Sequence, residues 1–220
     1  MLNLTILCII VILPFTNFLV LGLGSRSIRQ PISGYWASFT LFVSAILSLQ
    51  VAYAYFIQRG AINGIFPPLE LLRYPWLVFG NNLTIDISIV LDPLTVLMLV
   101  VVTFVSAMVH LFSLGYMKAD NRYTTYYAFL GLFTFSMLGL ILAGNLFQVY
   151  IFWELVGVSS FLLIGYYFTQ PSAVAAAKKA FIVTRFADFG FLVGILIISF
   201  YGETLDIATL IERISNPAGS

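Results

Sequence analysis

The chain has 220 residues, of which 61% are hydrophobic and 9% charged, and it carries a formal net charge of +1; its mean hydropathy is +1.03. An average soluble domain carries about 25% charged residues, so this composition cannot solvate a globule, and a disordered or basic nucleic-acid-binding chain is excluded on the same ground. The expected solvent is lipid.

A helix needs about 20 apolar residues to cross a hydrocarbon core about 30 Å thick. Six stretches qualify, approximately 3–23, 33–57, 93–117, 124–143, 146–168 and 174–201. The first is uncharged from Met1 to Gly24, with no basic start and no small-x-small cleavage pattern, so it reads as a spanning helix and not as a signal peptide. Its Cys8 is the one cysteine of the chain. No thiol-pair, zinc or iron–sulfur spacing follows, and no glycine-rich phosphate loop or dinucleotide fingerprint.

Between the second and third stretches, Arg59 to Leu91 contains prolines, the pair Asn81-Asn82 and an alternating run from Leu83 to Ile89. The alternation predicts a short strand, with the asparagines as a hairpin turn. Asp92-Pro93 then opens the third helix, aspartate as N-cap and proline at the first helical position. After the sixth stretch, Glu203 to Ser215 reads as an amphipathic surface helix with Leu205, Ile207, Leu210, Ile211 and Ile214 on its apolar side, broken by Asn216-Pro217-Ala218-Gly219. The expected fold is an all-α integral membrane protein with about six transmembrane helices and a short β-hairpin after the second. With no fixed-period repeat and no shift of composition, residues 1–220 read as a single transmembrane domain.

Arg26 and Arg29, Lys118 and Arg122, and Lys178 and Lys179 fall in places that alternate to share one face, whereas the opposite loops hold Arg59, Arg73 and Arg213. The positive-inside rule puts both termini outside the cytoplasm.

Ionisable residues within the spans are the candidates for chemistry. Glu154 lies about a turn from the centre of its segment, where a charge costs about 2.5–3.5 kcal/mol on insertion scales. Intramembrane acids of this kind mark ion pathways, and desolvation suits a carboxyl to proton exchange; a structural hydrogen bond to a neighbouring helix is the plainer reading. Gly157, a turn on, leaves room for water or a partner helix. Arg185 and Asp188 are helical neighbours, and spacing alone balances a self-neutralising pair against a functional one. Lys178 and Lys179 are placed to snorkel. His110 suits a proton relay or a structural hydrogen bond equally. All four of His110, Glu154, Arg185 and Asp188 map near their helix centres, so adjacent helices would give a polar layer near mid-membrane.

The run Phe152-Trp153-Glu154-Leu155-Val156-Gly157-Val158-Ser159-Ser160-Phe161-Leu162-Leu163-Ile164-Gly165 resembles the signature of the subunit L family, the antiporter-like membrane subunits of NADH-quinone oxidoreductase (respiratory complex I). Ala177 to Asp188, Leu91 to Thr95 and His110 to Lys118 resemble it too, in order along nearly the whole chain. Multisubunit sodium/proton antiporters and membrane-bound hydrogenases share these motifs. The resemblance implies a subunit that moves protons while quinone is reduced elsewhere in the complex. Glu154 would exchange protons, Lys179 would be its coupled lysine, Arg185 and Asp188 the pair coupling to the adjacent subunit, and His110 a possible relay. It further implies no cofactor on this chain, with NADH, FMN, iron–sulfur clusters and quinone held by other subunits. The partners would be adjacent antiporter-like subunits within the lipid bilayer, with no nucleic acid, and the host a bacterial inner (plasma) membrane. A sodium/proton antiporter subunit and a structural scaffold subunit are the rival readings. Family members carry more than twice as many helices, including a later lysine on a broken helix and a lateral helix, so this sequence is expected to cover the N-terminal portion of that fold.

Overall fold

The computed structural model describes residues 3–25, 28, 30–62, 64–79 and 83–215. Its elements in chain order are α1 (Leu4–Leu23), α2 (Ile32–Tyr53), a π-helical continuation of α2 (Ala54–Arg59), β1 (Leu69–Phe79), β2 (Leu83–Leu91), α3 (Pro93–Tyr116), α4 (Tyr123–Leu142), α5 (Leu146–Ile164), α6 (Pro171–Gly202) and α7 (Ile207–Ser215). Six of these helices are long and apolar enough to cross a membrane, as the sequence predicts. Arg26, Arg29, the Asn81-Asn82 turn and the break at 216–219 lie outside the described residues.

Helices α1 to α4 form a four-helix bundle, with α5 packed on α4 and α6 on α5. Two local features shape the packing of α1, one against α2 and one against α4. Pro14 lacks the N–H that would bond the Ile10 carbonyl, and the Ser44 hydroxyl of α2 donates to that carbonyl instead at 3.4 Å. Gly131 of α4 sits where an added Cβ would lie 2.8 Å from the Pro14 carbonyl, so only a glycine fits there.

The predicted cap at Asp92 forms, its carboxylate accepting from Thr95 N at 2.6 Å with Pro93 at the first helical turn. Asn145 caps α5 in the same way, accepting from Gln148 N at 2.8 Å. The fifth helix ends at Ile164, four residues before the expected 168. Tyr166 turns away from the helix axis into the loops, where its hydroxyl donates to Asp120 at 2.7 Å. The sixth helix begins earlier than expected, at Pro171, with Gln170 as N-cap. The surface helix begins later, at Ile207: Glu203 adopts a left-handed φ of 51° and ends α6, and Asp206 accepts from Thr209 N at 3.1 Å.

Strands β1 and β2 pair antiparallel with irregularities at Glu70/Leu72 and Pro75/Leu77. The second falls where proline offers no ladder donor. The hairpin does not keep the simple alternation read from Leu83 to Ile89. Ile85 is buried against Ile195 and Leu205, but Ile87 is exposed and Ser88 is buried, its N–H donating to Gln148 Oε1 at 3.0 Å. Both sides of β2 are therefore partnered, one by apolar packing and one by the cap of α5.

The connections α1–α2, α3–α4 and α5–α6 share one end of the bundle, the loop face. Gln30 Nε2 donates to the Asp120 carbonyl at 2.5 Å, and Arg122 Nη1 to the Tyr166 carbonyl at 2.8 Å. At the opposite, hairpin face, Leu146 N donates to the Leu205 carbonyl at 2.9 Å and Ile207 N to the Gly144 carbonyl at 3.2 Å. These bonds tie the start of α5 to the approach to α7.

Candidate functional site

Helices α5 and α6 lie side by side and bring three of the predicted residues into one cluster. Arg185 reaches from α6 to form an ion pair with the Glu154 carboxylate. Its Nη2 also lies 3.5 Å from the Glu154 carbonyl and 3.3 Å from Asp188 Oδ2. Asp188 is 4% exposed, and its Oδ1 accepts a 2.7 Å hydrogen bond from Trp153 Nε1. The guanidinium is further held over the Phe181 ring, 4.9 Å from its centroid.

The electrostatics follow from counting charges. Two carboxylates share one guanidinium, so the ionised cluster carries one uncompensated negative charge in a low-dielectric setting. Such a group is completed by one further cation, and a proton on either carboxyl supplies it. Arg185 Nε and Asp188 Oδ2 make no hydrogen bond among the described residues, so the cluster retains unused capacity on both its acid and its base.

Of the two expectations for Gly157, room for water or for a partner helix, the structure shows the second. The room beside it is filled by Arg185: a Cβ at Gly157 would collide with the guanidinium. A cavity of about 370 Å³ adjoins it between α4, α5 and α6, lined mostly by apolar side chains with Ser160, Thr184 and Asp188 at its edge. Little of α5 or α6 is buried by the described residues: 6% and 11% of their most apolar windows. The cluster therefore sits at an open flank, with Phe186, Phe189 and Ile197 exposed along α6.

Lys179 and His110 do not join the cluster. Lys179 is exposed, and nine residues separate it from Asp188, about half a turn net at 3.6 residues per turn, so it lies on the far side of α6. It forms no ion pair among the described residues. His110 belongs to α3, which packs on α2 and α4, and its ring lies 5.6 Å from that of Tyr127. The expected single polar layer is therefore two separate polar sites, because α3 and α5 each pack on α4 and have no comparable contact with each other. Trp153 and Phe181 were missed from sequence. The available signal for Trp153 was an indole N–H in a membrane-spanning helix, which needs a protein acceptor because lipid offers none.

Charged networks also tie the two ends. At the hairpin face Arg73 Nε lies 3.2 Å from Glu70 and 2.9 Å from Asp86, and its Nη2 lies 3.1 Å from Asp206. At the loop face, burial and then the hydrogen bond and charge of Asp120 push the Tyr166 phenol above the ordinary tyrosine range. Among the described residues, no group of three His, Cys, Asp or Glu side chains is placed to hold a metal ion.

Two family models match this sequence. Residues 76–127 match "NADH-Ubiquinone oxidoreductase (complex I), chain 5 N-terminus", and residues 143–219 match "NADH:quinone oxidoreductase/Mrp antiporter, TM". Among curated proteins, NAD(P)H-quinone oxidoreductase subunit 5, chloroplastic, of Chara vulgaris is 42% identical over 211 residues, covering 93% of this chain and 30% of the relative. Its counterpart from Chlorokybus atmophyticus is 40% identical over 208 residues, covering 94% and 31%. The chain thus spans about a third of the length of the curated relatives it matches. A chain of the membrane-bound sulfane sulfur reductase, an archaeal respiratory membrane complex, superposes with a TM-score of 0.74 at 18% identity, covering 93% of this chain and 39% of that one. The relatives carry the name subunit 5, so the comparisons support the antiporter-like subunit family expected from the sequence without singling out subunit L within it.

Proposed function

From the premise that this chain belongs to the family of complex I antiporter-like membrane subunits, we propose that it moves protons across the membrane as part of a complex that oxidises NAD(P)H and reduces quinone. The observation that carries this reading is the cluster of Glu154, Arg185 and Asp188, two carboxylates around one guanidinium inside the membrane. A purely structural ion pair needs one acid for one base. A surplus carboxylate inside lipid is a standing cost unless it binds and releases a proton.

The chemistry of this chain is then proton exchange at Glu154, governed by the position of Arg185. With Glu154 ionised, the guanidinium pairs with it and with its backbone carbonyl. With Glu154 protonated, that attraction is lost and Arg185 is free to centre on Asp188, which Trp153 holds in place. Each state leaves the charge of the cluster differently distributed, and this is the means by which a proton at Glu154 is felt at Asp188 and by any subunit lying against α6. Lys179, exposed on α6, is the candidate for pairing with an acid outside the described residues, and His110 is a possible relay in the α1–α4 bundle.

Cofactors are read as belonging to other subunits: NAD(P)H, flavin and iron–sulfur clusters peripherally, quinone at the membrane. The neighbours in the bilayer are read as further antiporter-like subunits. The loop face, with Lys118 and Arg122, is assigned to the cytoplasm-equivalent side, which puts both termini on the other. The host is read as a bacterial plasma membrane, and the chloroplastic relatives make a chloroplast membrane the alternative.

Purification from native membranes tests the proposal. Co-purification with peripheral subunits showing flavin and iron–sulfur absorbance, and proton uptake that requires quinone, is the expected result. The description of the second family model includes Mrp antiporters; sodium-dependent proton exchange in vesicles lacking NAD(P)H and quinone would decide for a sodium/proton antiporter.

A further inference from the structure

We propose that the α1–α4 bundle encloses a hydrated polar site, set between apolar clusters toward either face, in which internal water donates a hydrogen bond to Nε2 of His110. This takes the relay reading of His110 further, and it is independent of Glu154.

The tautomer of His110 is set by its neighbour. The ring is 1% exposed, and Nδ1 lies 2.8 Å from the Ser106 carbonyl. A carbonyl only accepts, so Nδ1 carries the hydrogen and Nε2 of the neutral ring is a bare acceptor. That nitrogen has no partner among the described residues.

Two more buried polar atoms share this condition, Oδ1 of Asn17 on α1 and Oγ of Ser38 on α2. Asn17 and Ser38 are 0% and 4% exposed. Their depths coincide with that of His110. Asn17 and His110 lie six residues before the ends of their helices at Leu23 and Tyr116, and Ser38 lies six residues after the start of its own at Ile32. At 1.5 Å per residue all three sit ~9 Å inside the loop-face ends of the helices. Helix α4 closes the level with Tyr127, whose hydroxyl donates to the His110 carbonyl at 3.0 Å. Two of the unpartnered atoms are acceptors and the third is a hydroxyl that can donate. This is the complement of water, which offers two hydrogens and accepts in return; buried waters typically make about three such bonds.

Polar pairs continue on both sides of this level. Toward the loop face are Thr124 to Ser33 at 3.0 Å and Ser113 to Tyr126 at 3.3 Å. Toward the hairpin face are Thr134 to Ser106 at 3.1 Å and Ser48 to Thr103 at 2.7 Å. Beyond Ser48 the seam ends against Leu7, Ile10, Val51, Leu99 and Leu138, part of a core whose tyrosine, Tyr55, spends its hydroxyl on the Pro67 carbonyl.

The test uses the fact that this is the one histidine of the chain. The chain carrying nitrogen-15 histidine, reconstituted in lipid bilayers, gives one ring spectrum by solid-state NMR, and water-edited transfer reports contact with water. The expected result is the Nδ1-protonated tautomer, with Nε2 shifted as a hydrogen-bond acceptor and receiving water polarisation rapidly. Ser38→Ala and Asn17→Leu should each slow that transfer several-fold. A ring protonated at Nε2, or one that receives no rapid water polarisation, would overturn the proposal. The wild-type spectrum decides alone if the variants do not fold, and a dry ring would leave the Glu154 reading untouched.

Discussion

The indole of Trp153 donates a 2.7 Å hydrogen bond to Asp188, so the residue beside Glu154 in sequence holds the carboxylate that shares Glu154's counter-ion. Adjacent positions on α5 thus address both ends of the charge pair on α6. Helix α5 positions Asp188 through a neutral donor and engages Arg185 through a charge.

Trp153→Phe removes that donor but keeps the ring, which packs against Phe191 at 6.0 Å. Hydrogen bonds to charged groups contribute about 1.5–3 kcal/mol. Unfolding in mixed micelles should show a loss in that range, and a double-mutant cycle with Asp188→Asn should show the two losses to be coupled.

Gly157→Ala places a methyl group where the Arg185 guanidinium sits. The backbone of α5 tolerates alanine well, so the helix should remain while the arginine is displaced from Glu154. The expected outcome is normal assembly with proton uptake lowered to nearly the level of Arg185→Ala, as read by a pH-sensitive dye in vesicles.

Arg73→Ala frees Glu70, Asp86 and Asp206 at the hairpin face. Arg73 is half-exposed, so each pair contributes only about 0.2–1 kcal/mol and is screened by salt. The effect should be local: faster hydrogen exchange over Ile207–Ser215 with the global unfolding midpoint little changed, and a smaller difference from wild type at high salt.

Tyr166 predicts an alkaline limit. Its folded-state pKa is raised, by burial first and by Asp120 next. The unfolded phenol releases its proton near the ordinary value of about 10 and the folded one only above it. The folded state therefore binds more protons in that window, and its stability is complete below about pH 10 and falls as pH rises beyond it. Tyr166→Phe should flatten the fall of the unfolding midpoint above about pH 10 relative to wild type.

Much of this architecture was legible in the sequence because lipid enforces length and apolarity on each span. The six helices and the Asp92-Pro93 cap followed from that rule and from local chemistry. Helix ends were less legible where tertiary bonds set them. Tyr166 leaves α5 for Asp120, a partner 46 residues away, and Asp206 starts α7 late. The alternation of β2 misled because Gln148 draws Ser88 inward. For the site, the spacing of Arg185 and Asp188 was readable, whereas the partner of Glu154 depended on which helix lies beside α5. That is also why His110 seemed to belong with Glu154: depth in the membrane can be read from sequence, but azimuth and helix adjacency cannot.

The central claim is that Glu154 carries a proton that is exchanged during turnover. The most direct measurement compares Glu154→Gln with wild type in membrane vesicles, reading protons translocated per quinone reduced while immunoblotting confirms assembly. Glutamine is nearly isosteric and retains a hydrogen-bonding side chain, so a scaffold role would survive it. The account predicts an assembled complex that still reduces quinone but moves clearly fewer protons per turnover. An unchanged ratio in the assembled variant would contradict it.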